Sequence, residues 1–379
     1  MIMDYETLKL VWWLLIGILF IGFAIADGMD MGVGNLLFLI GKTDADRRVM
    51  INTVGPHWDG NQVWFITAGG ALFAAWPMVY AAAFSGFYFA MLLVLFALFF
   101  RPVGFDYRSK FENSKWRNSW DIGLFIGSFV PPLVFGIAFG NLLLGVPFHM
   151  DEFMRPFYTG SFFALFHPFA LVCGLVAVAM LTMHGAIWLQ MRTTGELAAR
   201  AARWVSYCGL ATIALFAVSG IWLAFGIDGY HITSMPSPGS ASNPLAKLVE
   251  PASGAWFDNY RNMPLTMLFP LLGFGGAALT MVLSRAARPG LGFVTSALTL
   301  AGIIMTAGIS LFPFIMPSST NPNHSLTIWD ATSSHLTLMV MFWAVVIFLP
   351  LIIGYTLWNY YKMWGKVTTQ DIEERFSAY

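Results

Sequence analysis

The sequence predicts an all-α integral membrane protein, a bundle of about nine transmembrane helices, and three observations carry that reading. Of 379 residues 58% are hydrophobic and 11% are charged, where a soluble domain carries about 25% charged residues. The apolar residues come in runs long enough to cross a hydrocarbon core of about 30 Å, which takes about 20 residues of helix. Lys and Arg gather in alternate connections between those runs, as a chain threaded back and forth through a bilayer requires. Backbone groups in lipid must be satisfied internally, so the runs are helices. A transmembrane barrel would instead show alternating segments of about ten residues, and the sequence has none.

The spans fall near residues 8–38, 57–77, 79–100, 119–141, 162–190, 204–227, 263–284, 291–315 and 334–361. The first is preceded by Asp4 and Glu6 rather than a basic cluster, and no small-residue cleavage site follows it, so it reads as a retained span and not a signal peptide. It is too long for one straight crossing and contains Gly28, Gly32 and Gly34, so a bend or break is expected there. The second begins with His57, Asp59, Asn61 and Gln62 between Trp58 and Trp64, and a tight turn at Trp76 and Pro77 separates it from the third. The fifth and sixth hold Cys173 and Cys208, read as small buried apolar residues with no disulfide or thiolate metal site. Residues 228–262, the longest connection, are rich in Pro and Ser and read as a loop too short for a domain. The chain is therefore expected to be a single polytopic domain, residues 1–379, without internal repeats.

With nine spans, one membrane face receives Lys42, Arg47 and Arg48; Arg101, Arg108, Lys110, Lys115 and Arg117; Arg192, Arg200 and Arg203; Arg285 and Arg288; and Lys362, Lys366 and Arg375. The other receives only Lys9, Arg155, Lys247 and Arg261. The excess of basic residues marks the cytoplasm, which sets the N-terminus outside and the C-terminus inside. Ionisable side chains at the edge of hydrocarbon are costly and usually serve a pathway or a site. On this topology Asp27 and Asp30 lie toward the cytoplasmic end of the first span, Asp59 in the first turn of the second, and Asp106 just past the third. A helical period places Asp59 and Gln62 on one side and His57, Asn61 and Trp64 on a neighbouring one. Such a cluster can bind protons and pass them along ordered water. The structural alternatives are that Asp59 caps its helix, that Asp27 and Asp30 cap a helix break, and that Asp106 pairs with Arg101 or Arg108.

Several segments are longer than hydrophobicity explains: Asp27-Gly-Met-Asp-Met-Gly-Val-Gly34, Gly55-Pro-His-Trp-Asp-Gly-Asn-Gln-Val-Trp64, Phe100-Arg-Pro-Val-Gly-Phe-Asp-Tyr-Arg108, Gly140-Asn-Leu-Leu-Leu-Gly-Val-Pro147 and Trp329-Asp-Ala-Thr-Ser-Ser334. In these the chain resembles subunit II of cytochrome bd quinol oxidase, from the first span to the tail. The resemblance implies a complex of the bacterial inner membrane that oxidises quinol, reduces O2 to water and draws protons from the cytoplasm. It also implies two haems b and one haem d held by subunit I, with small single-span subunits and a bound quinone as further candidates. From the residues alone haem ligation stays open, because His57, His167, His184 and His335 lie in or beside spans and His is an axial haem ligand. No metal site in this chain and no nucleic-acid partner is expected.

On the outer face Asp330 or Ser333 is expected to cap the last helix. Phe312, Phe314 and Trp329 are candidates for an apolar contact with a quinone. A secondary transporter or channel would share the composition and the intramembrane acids. Transporters commonly show repeated halves with broken helices at the midplane, and no repeat is evident here.

Overall fold

The computed structural model describes residues 3–374, the last two by backbone only. Arg375, counted above among the cytoplasmic basic residues, and the C-terminal Tyr379 lie outside the described residues. Fourteen α-helices follow in order: α1 (Tyr5–Asn35), α2 (Leu37–Ile40), α3 (Asp44–Val54), α4 (Trp58–Ala75), α5 (Pro77–Gly86), α6 (Tyr88–Tyr107), α7 (Ser114–Leu144), α8 (Pro168–Arg192), α9 (Gly195–Gly226), α10 (Asp258–Asn262), α11 (Leu268–Arg285), α12 (Pro289–Leu311), α13 (His335–Lys362) and α14 (Thr369–Glu374). Among the described residues eight helices are both long and apolar enough to cross a membrane: α1, α6, α7, α8, α9, α11, α12 and α13. The bundle of apolar helices is as the composition requires. Helix α4 occupies the position of the expected second span with 18 residues, but its first turn carries Asp59, Asn61 and Gln62 and makes it less apolar than the rest.

Helix α8 sits at the centre, packed on α1, α7, α9 and α12. Its crossing with α1 depends on two facing glycines. A Cβ on Gly32 would lie 2.1 Å from the Leu181 carbonyl oxygen, and one on Gly185 would lie 2.3 Å from the Gly32 carbonyl carbon. Small residues of this kind let two backbones touch in a medium that supplies little hydrophobic drive between helices. This corrects the reading of the first span: α1 runs unbroken past its glycines to Asn35, and the interruption comes at Leu36. The glycines serve the helix contact, where a side chain would clash.

Four further boundaries differ from the sequence reading. The third span begins at Tyr88, because the helix breaks at Phe87 and α5 leans on a short hairpin beyond the bundle. At its other end α6 continues through Pro102, so Arg101 and Asp106 are helical and not in a loop. A 3-10 turn over Phe163–Phe166 precedes α8, which starts at Pro168 after His167 caps the Phe169 N–H. The connection after α9 is not simply a loop: β3 (Asp228–Ser234) pairs antiparallel with β4 (Leu248–Ser253). Two smaller hairpins, β1 (Phe148–Met150) with β2 (Pro156–Tyr158) and β5 (Phe314–Met316) with β6 (Leu326–Thr327), follow α7 and α12. A bridge between Val146 and Ser318 and a hydrogen bond from Val249 N–H to Asn323 tie these hairpins into one cap at one end of the bundle. The basic connections lie at the other end.

Candidate functional site

Four helices, α1, α4, α6 and α13, bring a buried polar cluster together toward the basic end. From α6, the Arg101 guanidinium donates to both oxygens of Asp27 on α1, at 2.8 Å to Oδ2 and by a second bond from Nη2 to Oδ1. One turn on, Asp30 Oδ2 lies 3.9 Å from Arg101 Nη2 and accepts from Asn61 Nδ2 of α4 at 2.9 Å. Tyr360, near the end of α13, donates its hydroxyl to Asn61 Oδ1 at 2.8 Å. Its ring stacks on His57 with centroids 4.3 Å apart, and Asn359 Nδ2 donates to His57 Nδ1 at 3.4 Å. Asp27, Asp30, His57, Asn61 and Arg101 are all buried. Two atoms have no partner, Asp30 Oδ1 and His57 Nε2.

The charge count defines what this cluster can do. One guanidinium faces two carboxylates, so the site holds either a net negative charge or a proton. A buried ion without full compensation is costly, and the unpartnered oxygen of Asp30 is where a proton or an ordered water would be received.

Asp59 is placed otherwise. It lies in the first turn of α4, as expected, but its side chain is exposed, makes no hydrogen bond or ion pair among the described residues, and does not cap the helix. His57 is the cap residue, and its side chain makes no capping bond either. Asp59 heads a stripe at helical spacing with Val63, Ile66 and Phe73, all exposed, Ile66 at 66%. Gln62 is half-buried, while His57 and Asn61 turn inward and Trp64 packs over Gly22. The two-sided reading of this turn therefore holds. Asp106 is exposed in the last turn of α6.

Three structural alternatives are corrected. Asp27 and Asp30 cap nothing, since α1 passes through both; they are the counter-ions of Arg101. Asp106 pairs with neither arginine, because Arg101 is taken by Asp27 and Arg108 binds Asp121, at 2.5 Å from Nε to Oδ1, and Asp44, at 2.7 Å. Asp330 and Ser333 do not cap α13; Ser334 does, accepting from the Thr337 N–H. Asp330 instead binds Lys247 at 2.9 Å and accepts from the Thr327 N–H. Burial pushes the Lys247 ammonium below its usual range against the opposing pull of Asp330.

The residues missed by sequence reasoning are Arg101 as an intramembrane cation and Tyr360 with Asn359 as its outer neighbours. Sequence carries no clear signal for Arg101, since an Arg at the end of an apolar run ordinarily snorkels to the interface. The quinone candidates are divided by the structure. Phe312 and Trp329 meet edge to face at 6.3 Å, with Trp13 against Phe312 at 5.3 Å. Phe314 is buried apart from them against Tyr230 and Trp256.

The four histidines in or beside the spans differ in what their ring nitrogens bind. His184 spends both ring nitrogens, on Ser296 Oγ at 2.7 Å and the Ile25 carbonyl at 3.0 Å. His335 bonds the Met3 carbonyl and His167 caps α8. His57 keeps Nε2 without a partner, with Tyr360 stacked on its ring face. Of these four histidines only His184 has both ring nitrogens occupied, and an axial ligand needs one free in-plane nitrogen.

Comparison with known proteins bears on the whole chain. Residues 8–363 match the family described as cytochrome bd terminal oxidase subunit II. The chain is 58% identical to cytochrome bd-I ubiquinol oxidase subunit 2 of Escherichia coli (strain K12) over 370 residues, 98% of each chain. It is 53% identical to a probable cytochrome oxidase subunit 2 of Haemophilus influenzae over 372 residues, again 98% of each. A Bacillus subtilis cytochrome bd ubiquinol oxidase subunit 2 is 32% identical over 364 residues, 95% of this chain and 97% of the relative. In fold the chain is similar to a chain of the bd oxidase structure from Geobacillus thermodenitrificans, with a TM-score of 0.67 at 16% identity, covering 94% of this chain and 98% of that one.

Proposed function

The chain belongs to the cytochrome bd terminal oxidase subunit II family, and from that premise we propose that it takes up protons from the cytoplasm at Asp59 and hands them toward the oxygen-reducing centre of subunit I. It is a subunit of a bacterial terminal oxidase complex that contains haem, with subunit I as its partner and several apolar helices in the inner membrane. The proposal adds the division of labour: two haems b and one haem d on subunit I, quinol oxidation and O2 reduction there, and no catalysis by this chain alone. His184, whose two ring nitrogens are both hydrogen-bonded, supports it.

The observation that carries proton uptake is Asp59 at the head of an exposed apolar stripe. An ionised carboxylate does not face lipid, whereas one in contact with protein or a water-filled path is a functional position. The face of α4 and the neighbouring α6 and α13, where Phe96, Phe99, Val346, Leu351 and Trp358 are also exposed, is therefore the surface offered to subunit I. Asp106, exposed at the end of α6, joins Asp59 as a second entry candidate. Asn61, beside Asp59, connects the entry turn to Asp30 and Asp27, with His57 and Gln62 flanking. The bias of sixteen basic residues of twenty to one face supports a cytoplasmic location for this end, nine spans with α4 as the second, and one polytopic domain. A quinone contact falls to Phe312 and Trp329 and not to buried Phe314. Small single-span subunits are expected on the remaining lipid-facing helices. Family membership leaves the transporter reading without support.

Asp59→Asn tests the reading in the assembled complex. The amide keeps the shape and removes the titratable group. Oxygen consumption per haem should fall several-fold with haem content intact; normal turnover in a fully assembled variant would sink the proposal.

A further inference from the structure

Four arginines are buried among the described residues, Arg101, Arg108, Arg192 and Arg200. Three hold an Asp within ion-pair distance: Asp27, Asp121 and Asp46 respectively. Arg192 holds none. It ends α8, is 4% exposed, and uses one nitrogen, Nη2, on the Met363 carbonyl at 2.9 Å, while Nε and Nη1 have no partner. Its guanidinium carbon lies 4.9 Å from the ring of Trp188 and 5.4 Å from that of Trp364. The buried Trp188 also has an unbonded N–H, Nε1. A buried cation with free donors and aromatic walls lacks an anion, because burying an uncompensated charge is strongly unfavourable.

The surroundings say which anion. Trp364 is 61% exposed and Tyr361 is exposed beside it, in the pattern of aromatic side chains at a membrane interface. Lys362 and Lys366 are exposed on the same segment and carry no ion pair among the described residues. That segment is tied to α8 by the bond from Val367 N–H to the Arg192 carbonyl. Nε and Nη1 can each donate to a phosphate oxygen, and basic pockets between helix ends at a membrane face bind anionic headgroups. We propose that the ends of α8 and α13 form a binding site for the phosphate of an anionic phospholipid, with Arg192 as its buried anchor and Lys362 and Lys366 at its rim. The site adjoins the Arg101 cluster, since Trp188 meets Tyr360 edge to face with centroids 6.3 Å apart, but the proposal does not rest on proton uptake.

The intact oxidase complex in phosphatidylcholine discs is the object to test, with phosphatidylglycerol added at rising mole fraction. Thermal midpoint and lipid retained through detergent washing, read by native mass spectrometry, are the measurements. Wild type should gain stability and keep one phosphatidylglycerol more than the Arg192→Gln complex, which should respond to neither. Replacing Lys362 and Lys366 with Gln, both exposed and outside any packing contact used here, should weaken the dependence on phosphatidylglycerol by about fivefold per lysine. Equal retention in wild type and Arg192→Gln would overturn the site. So would a full response to inorganic phosphate in phosphatidylcholine alone, which would make free phosphate and not lipid the occupant. Dissociation from subunit I in Arg192→Gln, with wild type indifferent to phosphatidylglycerol, would assign the anion to a partner carboxylate and overturn the lipid. Should Arg192→Gln fail to assemble, an unchanged lipid dependence in the double-lysine variant overturns the proposal by itself.

Discussion

Arg101 and Arg108 stand seven residues apart, about two turns, near the end of α6, and each is 1% exposed. Their company differs. Arg108 belongs to a network in which Asp121 also binds Arg47, at 3.0 Å, and Asp44 also binds Arg117, at 2.6 Å. Three guanidiniums there share two carboxylates, at the edge of solvent. Around Arg101 the ratio is reversed, one guanidinium to two carboxylates, and both acids are sealed between helices. A surplus of cations at a face that meets water needs no further explanation. A surplus of buried negative charge does, and a carboxylate oxygen left without a partner inside a membrane bundle is the kind of exception that marks function.

The difference can be broken most severely at Arg101. Arg101→Gln removes the cation and leaves Asp27 and Asp30 buried together. Breaking a buried pair by deleting one partner costs about 3–5 kcal/mol, so little assembled complex should be recovered. Haem content per milligram of membrane protein is the measurement. Recovery at wild-type level would mean that Arg101 is not what compensates these acids.

Matched acid-to-amide changes then sharpen the comparison. Asp121→Asn strips Arg108 and Arg47 of their shared counter-ion and should destabilise by about 2–3 kcal/mol, with turnover per haem unchanged in the complex that survives. Asp30→Asn should do the opposite. The amide keeps the contact with Asn61 after rotating, and one buried negative charge is gone, so stability should hold or rise while turnover falls. If Asp30→Asn destabilises as Asp121→Asn does, the two clusters are both structural and the contrast fails. Thermal unfolding and oxygen uptake on the same preparations separate these outcomes.

Much of this arrangement was legible in the sequence, and what was not has a physical reason. The helices follow from apolar runs, which are local, and Asp59 in the first turn of α4 follows from where its run begins. That the basic connections share one end of the bundle follows from counting Lys and Arg. The partner of Arg101 lies 74 residues away, and no single sequence reports a contact of that range. Pro102 removes a helical hydrogen bond, yet α6 continues through it to Tyr107. The start of the third span was misplaced because residues 77–107 are apolar almost throughout, and composition does not show a break at Phe87. Hairpin β3–β4 reads as a loop in sequence because its strands are short and the connection between them is rich in Pro, Gly and Ser.

The mildest test returns to the solvent edge of the Arg108 network. Asp44 is partly exposed, 44% by side chain. Partial burial pushes its carboxyl up, but the Arg108 and Arg117 guanidiniums outweigh that and hold it below the usual carboxylate range. A depressed native value stabilises the fold at every pH above the unfolded value, about 3.9, and the stabilisation is lost as pH falls through the lower native one. Exposed pairs are screened, so Asp44→Asn should cost no more than about 1 kcal/mol at neutral pH. The gap between wild type and variant should stay level from pH 7 to about pH 5 and begin to close only below about pH 4. It should also shrink with added salt. A gap that closes between pH 7 and pH 6 would mean that some other group titrates in the network. A gap of several kcal/mol would mean that the solvent edge is as tightly coupled as the sealed Arg101 cluster, and the distinction between the two arginines would be lost.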